Sequence, residues 1–240
     1  MSLRRLHPAL IVACLAVSLA SAQDAKQPAK KKKAENPALA QVQDVPGLPR
    51  VLVIGDSISI GYTLPLREAL QGKANVHRPA ANCGPSSRGV ESIDQWLGDG
   101  KWDVIHFNFG LHDVRYFDDQ AKATDAGKGH RQVSDSDYEK NLELLVIRMK
   151  KTGAKLIFAT TTPVPPGSAG RIQGEEKKYN EIALRVMQKN GVTLDDLYSF
   201  CQPRLAEIQL PNNNVHFKPE GYKQLADQVA ASILKSLSSK

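Results

Sequence analysis

The chain has 240 residues, room for one domain of ordinary size and cramped for two. Its 41% hydrophobic and 24% charged residues exclude wholesale disorder, and three cysteines with no CxxC pair exclude a disulfide scaffold or a zinc ribbon. The formal net charge of +7 raises the question of an anionic partner, nucleic acid included, until that charge is located along the chain.

The first residues carry the pattern of an export signal. Arg4 and Arg5 precede a 13-residue apolar run at 8–20, and Ala20-Ser21-Ala22 offers a small-residue cleavage site. A spanning helix needs about 20 apolar residues, so 1–22 reads as a signal peptide and no transmembrane anchor is expected. Residues 23–49 show no hydrophobic period and contain the block Lys30 to Lys33. They read as a Lys/Ala/Pro-rich flexible linker. The remainder, 50–240, holds 25 basic and 22 acidic residues, a net of +3. With the charge excess lying mostly outside the folded part, nucleic acid drops out as an expected partner. The sequence places the protein outside the cytoplasm, in the periplasm or secreted.

From residue 50 the pattern becomes regular. Val-Leu-Val-Ile at 51–54 is a short β-branched apolar run of the kind that forms a buried parallel strand. Further strands are predicted at 75–79, 103–109, 154–160 and 192–195. Helices are predicted at 62–72, 89–98, 137–152, 175–190 and 219–237, the last carrying Leu225, Val229, Ile233 and Leu237 on one stripe. Strands alternating with helices predict right-handed crossovers, hence a three-layer α/β/α sandwich on a parallel sheet of about five strands. The fold domain is 50–240.

In open α/β sheets, ligand sites form beyond the carboxyl ends of the strands. After the first strand stands Gly55-Asp56-Ser57, a serine between strand and helix, with its N–H at a helix start that can help hold an oxyanion. After the third stands Gly110-Leu111-His112-Asp113. Before the last helix stands Asn212-Asn213-Asn214-Val215-His216-Phe217, followed by Pro219-Glu220-Gly221-Tyr222.

Together these three places resemble the SGNH hydrolases, also called GDSL esterases and lipases. Gly55-Asp56-Ser57 matches the first block of that family. Gly84 sits where its second-block glycine is expected, Gly110 to Asp113 stand at its Gly-x-Asn-Asp, and His216 at its last-block histidine. The resemblance implies a flavodoxin-like fold, a serine esterase activity, Ser57 as nucleophile and His216 as general base. It also implies an oxyanion hole from the N–H groups of Ser57 and Gly84 and from the third-block side chain. No cofactor or metal is implied. Two positions depart from the family pattern. His112 replaces the asparagine of the third block, where a neutral imidazole N–H can still donate to an oxyanion. Asn213 stands where the family carries the triad aspartate, and an amide oxygen there can orient His216 without supplying charge. Asn214, Asp195, Asp196 or a backbone carbonyl are the other groups able to do so.

Several neighbouring residues extend the reading. Asp56 and Asp113 are expected to bond backbone amides, and His106 to be a core histidine. Cys83 and Cys201 stand open between a disulfide joining two loops and two separate buried thiols. The polar stretch between Asp113 and Asp137 is long enough to form a substrate-facing rim, with Arg115 and Tyr116 as substrate-binding residues suited to a polar or anionic group. With no large apolar lid, the expected substrate is a short-chain, acetyl ester on a carbohydrate, such as an acetylated polysaccharide or peptidoglycan. The alternatives are a catalytically weakened glycan- or wall-binding module, or a thioesterase or lysophospholipase on the same fold.

Overall fold

The structure, a computed structural model, describes residues 36–239 except 99, 126 and 127. The expected signal peptide and the first part of the expected linker lie outside the described residues.

Five strands form one parallel sheet: β1 (Arg50–Ile54), β2 (Asn75–His77), β3 (Val104–Phe107), β6 (Lys155–Ala159) and β7 (Thr193–Asp195). Their order is β2-β1-β3-β6-β7, with Val51 opposite Val104 and Ile54 opposite Phe107. Helices α1 (Ser57–Ala69), α2 (Ser86–Leu97), α3 (Asp135–Lys150), α4 (Glu175–Asn190) and α7 (Pro219–Ser238) cover its two faces. Short helices α5 (Leu197–Cys201) and α6 (Leu205–Ile208) follow β7. A two-residue hairpin pairs β4 (Tyr116–Phe117) with β5 (His130–Arg131) inside the long polar stretch.

The period-two alternation of the strands sorts the core into two halves. Val51, Val53, Val104, Ile157 and Ala159 face α1 and α7, packed with Leu66, Leu225, Val229 and Ile233. Leu52, Ile54, Ile105, Phe107 and Phe158 face α2, α3 and α4, packed with Ile93, Leu142, Leu145 and Val186. Each such fully buried aliphatic or aromatic side chain contributes about 1.5–3 kcal/mol. The predicted three-layer sandwich is therefore the fold observed.

Three local features differ from expectation or settle an open point. Helix α1 begins at Ser57, five residues earlier than its apolar pattern indicates, because Asp56 caps it by accepting the Ile58 N–H at 2.9 Å. Residues 36–49, expected within a flexible linker, are bound to the domain. Ala38 is buried, Asn75 Oδ1 accepts the Val45 N–H at 2.9 Å, Asn75 Nδ2 donates to the Val45 and Leu48 carbonyls, and Arg67 donates to the Ala40 carbonyl. A segment without its own hydrophobic period is held by side chains of the sheet edge and of α1. Cys83 and Cys201 are free buried thiols on opposite faces of the sheet, so no disulfide joins them; burial pushes Cys83 up to about 11 and Cys201 up to about 12.

His106 lies on β3 facing α7. Its Nε2 and Asp195 Oδ2 are 3.1 Å apart, both side chains fully buried, and Gln228 of α7 donates to Asp195 Oδ1 at 2.9 Å. This network ties β3, β7 and α7 together at the carboxyl end of the sheet. Among the described residues no helix is long and apolar enough to cross a membrane.

Candidate active site

The strand order reverses between β1 and β3, and it is beyond the carboxyl ends of those two strands that a doubly wound sheet leaves a crevice. An open cleft of about 540 Å³ lies there. Ser57 and His216 line it together with Asn82, His112, Arg115, Arg171 and Asn214.

Ser57 is the first residue of α1, so its N–H has no acceptor in a preceding helical turn and sits at the positive end of the helix. The turn beneath it is pinned from below by Arg78, a residue only 8% exposed. The Arg78 guanidinium donates to Ser59 Oγ at 3.1 Å, Thr63 Oγ1 at 2.9 Å, the Gly55 carbonyl at 3.3 Å and the Ala81 carbonyl at 3.2 Å. One side chain thus fixes the end of β1, the first turn of α1 and the loop after β2.

His216 comes from the segment before α7. Its neighbours Val215 and Phe217 are buried in the core on the α1/α7 face, and its carbonyl accepts the Leu210 N–H at 2.9 Å. The imidazole is held between two apolar anchors and turned back toward β1. Its Nε2 lies 2.8 Å from Ser57 Oγ, and its Nδ1 lies 2.7 Å from Asn214 Oδ1. The residue that orients the ring is therefore Asn214, not Asn213. Asn212 and Asn213 both have φ of +60°, a left-handed turn that asparagine tolerates. Past that turn Asn214 faces His216. The Asn213 amide packs over Gly167, where a Cβ would come within 2.7 Å of its Nδ2.

The amide orientation at Asn214 follows from its second bond. Asn214 Oδ1 also accepts the His216 backbone N–H at 3.0 Å, which an amide nitrogen cannot do. With the oxygen facing the ring, Nδ1 carries the proton and Nε2 presents its lone pair to the Ser57 hydroxyl. Burial holds His216 below the ordinary histidine value, opposed by Asp56 and reinforced by Arg171. The His216 ring is thus mostly neutral at pH 7. His112 is likewise pushed down, first by burial, so it offers a single ring N–H in the cleft.

The expected oxyanion donors need one correction. Gly84, at φ +64°, donates its N–H to Asn82 Oδ1 at 2.9 Å, closing an Asx turn over 82–84, so this N–H is not free. The same bond occupies the Asn82 oxygen, and its amide Nδ2 has no partner among the described residues. Asn82 lines the cleft and Gly84 does not. Ser57, Asn82 and His112 line the cleft and carry N–H donors, beside the guanidinium groups of Arg115 and Arg171.

Arg115 lines the cleft as expected, but Tyr116 does not. The Tyr116 hydroxyl donates to Glu175 Oε1 at 3.0 Å, since alternation along β4 turns it to the other side of the hairpin. Arg171, in the loop after β6, is a cleft residue that the motif reading missed; it donates from Nε to the Leu111 carbonyl at 2.7 Å. The rule that sites form beyond strand ends, applied to β6, would have indicated it. Asp56 and Asp113 accept backbone N–H groups, Asp113 Oδ1 taking that of Ser86 at 2.8 Å. Among the described residues, no three His, Cys, Asp or Glu side chains come together as a metal ligand set.

Residues 53–224 match the GDSL-like lipase/acylhydrolase family. The chain belongs to that family. Solved structures agree on the fold. A lipase/acylhydrolase from Enterococcus faecalis superposes with a TM-score of 0.65 at 18% identity, covering 80% of this chain and 99% of that one. The acetyl xylan esterase AlAXEase gives a TM-score of 0.63 at 18% identity, covering 77% and 99%. Axe2, an acetylxylan esterase from Geobacillus stearothermophilus, gives 0.62 at 17% identity, covering 80% and 95%. No curated protein matches the chain by sequence.

Proposed function

We propose that this GDSL-family chain is an exported serine esterase that removes short acyl groups, acetyl first, from a hydroxylated substrate such as a carbohydrate. The observation that carries the reading is the continuous line Ser57 Oγ, His216 Nε2, His216 Nδ1, Asn214 Oδ1, with separations of 2.8 and 2.7 Å. A module that only binds glycans needs no such relay. Export rests on the signal-like pattern at 1–22. The acetylxylan esterases among the similar structures lend the acetyl assignment support by analogy of fold.

In this reading Ser57 Oγ attacks the ester carbonyl while His216 Nε2 takes the hydroxyl proton. The developing oxyanion is met by the Ser57 N–H, the Asn82 amide and the His112 ring. Collapse of the tetrahedral intermediate expels the alcohol, which receives the proton from His216. Water then attacks the acyl-serine with His216 again as base, and the serine leaves with that proton. Asn214 keeps the ring in the required tautomer throughout.

The test is hydrolysis of a short-chain aryl acetate by the full chain and by Ser57→Ala. Activity in the wild type that disappears in the variant is the expected result. Equal, background-level release in both would sink the esterase reading.

A further inference from the structure

The cleft holds two guanidinium groups with no acidic partner. Arg115 and Arg171 both line it beside Ser57 and His216, and neither forms an ion pair with a carboxylate among the described residues. Such groups are normally paired or spread apart, because like charges held close repel. Here burial, with the proximity of Arg115 added to it, brings Arg171 down to about 10. The pair is also fixed in place. Arg171 is anchored by the Leu111 carbonyl. Arg115 lies over the Phe117 ring at 5.5 Å and has its Nε buried without a hydrogen-bond partner. Asp56 is the acidic residue in the cleft, and its Oδ1 is spent on the start of α1. Two preorganised, charge-starved guanidinium forks beside a nucleophile make a receptor for an oxyanion, which each can bind bidentately.

We infer that Arg115 and Arg171 form an anion subsite and that the natural substrate is an ester whose alcohol part bears a carboxylate or phosphate group. The inference rests on the short-acyl esterase reading in one respect: an acetyl group carries no charge, so the anion must belong to the alcohol. The subsite then orients the leaving group, and its contribution appears as selectivity between charged and neutral esters of one shape.

The experiment compares kcat/KM for 4-acetoxybenzoate and for the neutral 4-acetoxybenzamide at low salt. The wild type is expected to favour the anion by about tenfold or more. That ratio should fall toward unity in Arg115→Gln and Arg171→Gln, whatever loss the two esters share. Arg185→Gln, on an exposed stretch of α4, should leave it unchanged. A ratio near unity in the wild type, or one that the two variants leave intact, overturns the inference. Calorimetric titration of Ser57→Ala with benzoate, phenyl phosphate and benzyl alcohol reads the subsite without hydrolysis and tells carboxylate from phosphate. Anion binding without esterase activity would overturn the esterase reading and keep the subsite. Esterase activity with no preference for either anion over benzyl alcohol would do the reverse.

Discussion

At the scale of single residues the feature that decides the proposed mechanism is an amide behind His216. Asn214 Oδ1 holds the ring at Nδ1 but brings no negative charge to the imidazolium that the proposed mechanism forms as Ser57 gives up its proton. Burial already holds the ring below its ordinary value. A general base must be deprotonated to act, so a lowered value moves the acid limb of kcat/KM to lower pH. For hydrolysis of an aryl acetate we expect an acid limb that lies below that of an ordinary histidine. Asn214→Asp should raise the histidine and shift that limb upward by about one unit or more. Asn214→Gly should cost about 100-fold or more in kcat/KM. Asn213→Gly, which keeps the left-handed backbone, should cost less than about tenfold, and a larger loss there than at position 214 would reverse the assignment. Ser57, His216 and His112 were legible in the sequence because each follows a predicted strand or precedes a predicted helix. The choice between Asn213 and Asn214 was not, because it depends on a turn of two consecutive left-handed residues. Gly84 misled for a similar reason: whether its N–H is free depends on the Asn82 side chain two residues earlier.

At the scale of elements the hydrophobic period located all five strands of the parallel sheet and the five long helices, since the central strands β1, β3 and β6 are almost wholly buried and the helices carry apolar stripes. It could not locate what holds the elements in register at the site. Arg78 is the clearest case: in sequence it is one arginine after a short strand, and in the fold it binds β1, α1 and the loop after β2 through neutral acceptors. A buried guanidinium is costly unless its donors are satisfied, and burial does lower this one. Replacing it by methionine fills a similar volume but removes the side-chain donor of the Ala81 carbonyl and of two hydroxyls, and leaves the Gly55 carbonyl with the Cys83 N–H alone. We expect Arg78→Met to lose about 3 kcal/mol in urea unfolding. Its kcat should also fall well below the unfolding midpoint, because Gly55 sets the turn that presents Ser57. Arg78→Lys, with one point charge in place of a fork, should lie between. An unfolding midpoint unchanged in Arg78→Met would remove this residue from the support of the site.

At the scale of the whole molecule, carboxylates at the surface and one buried in the core couple stability to pH in opposite directions. Asp44, Asp135 and Asp196 are held below the ordinary aspartate value, despite some desolvation, by hydrogen bonds and nearby cations or backbone donors. They favour the native state above the unfolded value and lose that effect as pH falls through the lowered one. Asp113 works the other way. It is fully buried between the loop after β3 and the start of α2, its Oδ1 accepts the Ser86 N–H, its Oδ2 has no partner, and burial pushes it up to about 6. Between about 4 and 6 the native state therefore binds more protons at this site than the unfolded chain does. Its contribution is fully present below about 4 and is lost as pH rises to about 6, a change of about 3 kcal/mol for a shift of this size. The whole-molecule profile mixes both signs, so the variant isolates the site. Asp113→Asn keeps the acceptor for Ser86 and removes the titration. The difference in unfolding free energy between wild type and Asp113→Asn, followed from pH 4 to 7, should move in favour of the variant as pH rises and level off above about 6. A difference independent of pH across that range would mean that this carboxyl titrates at its ordinary value, and the loop after β3 would then be open to water at α2.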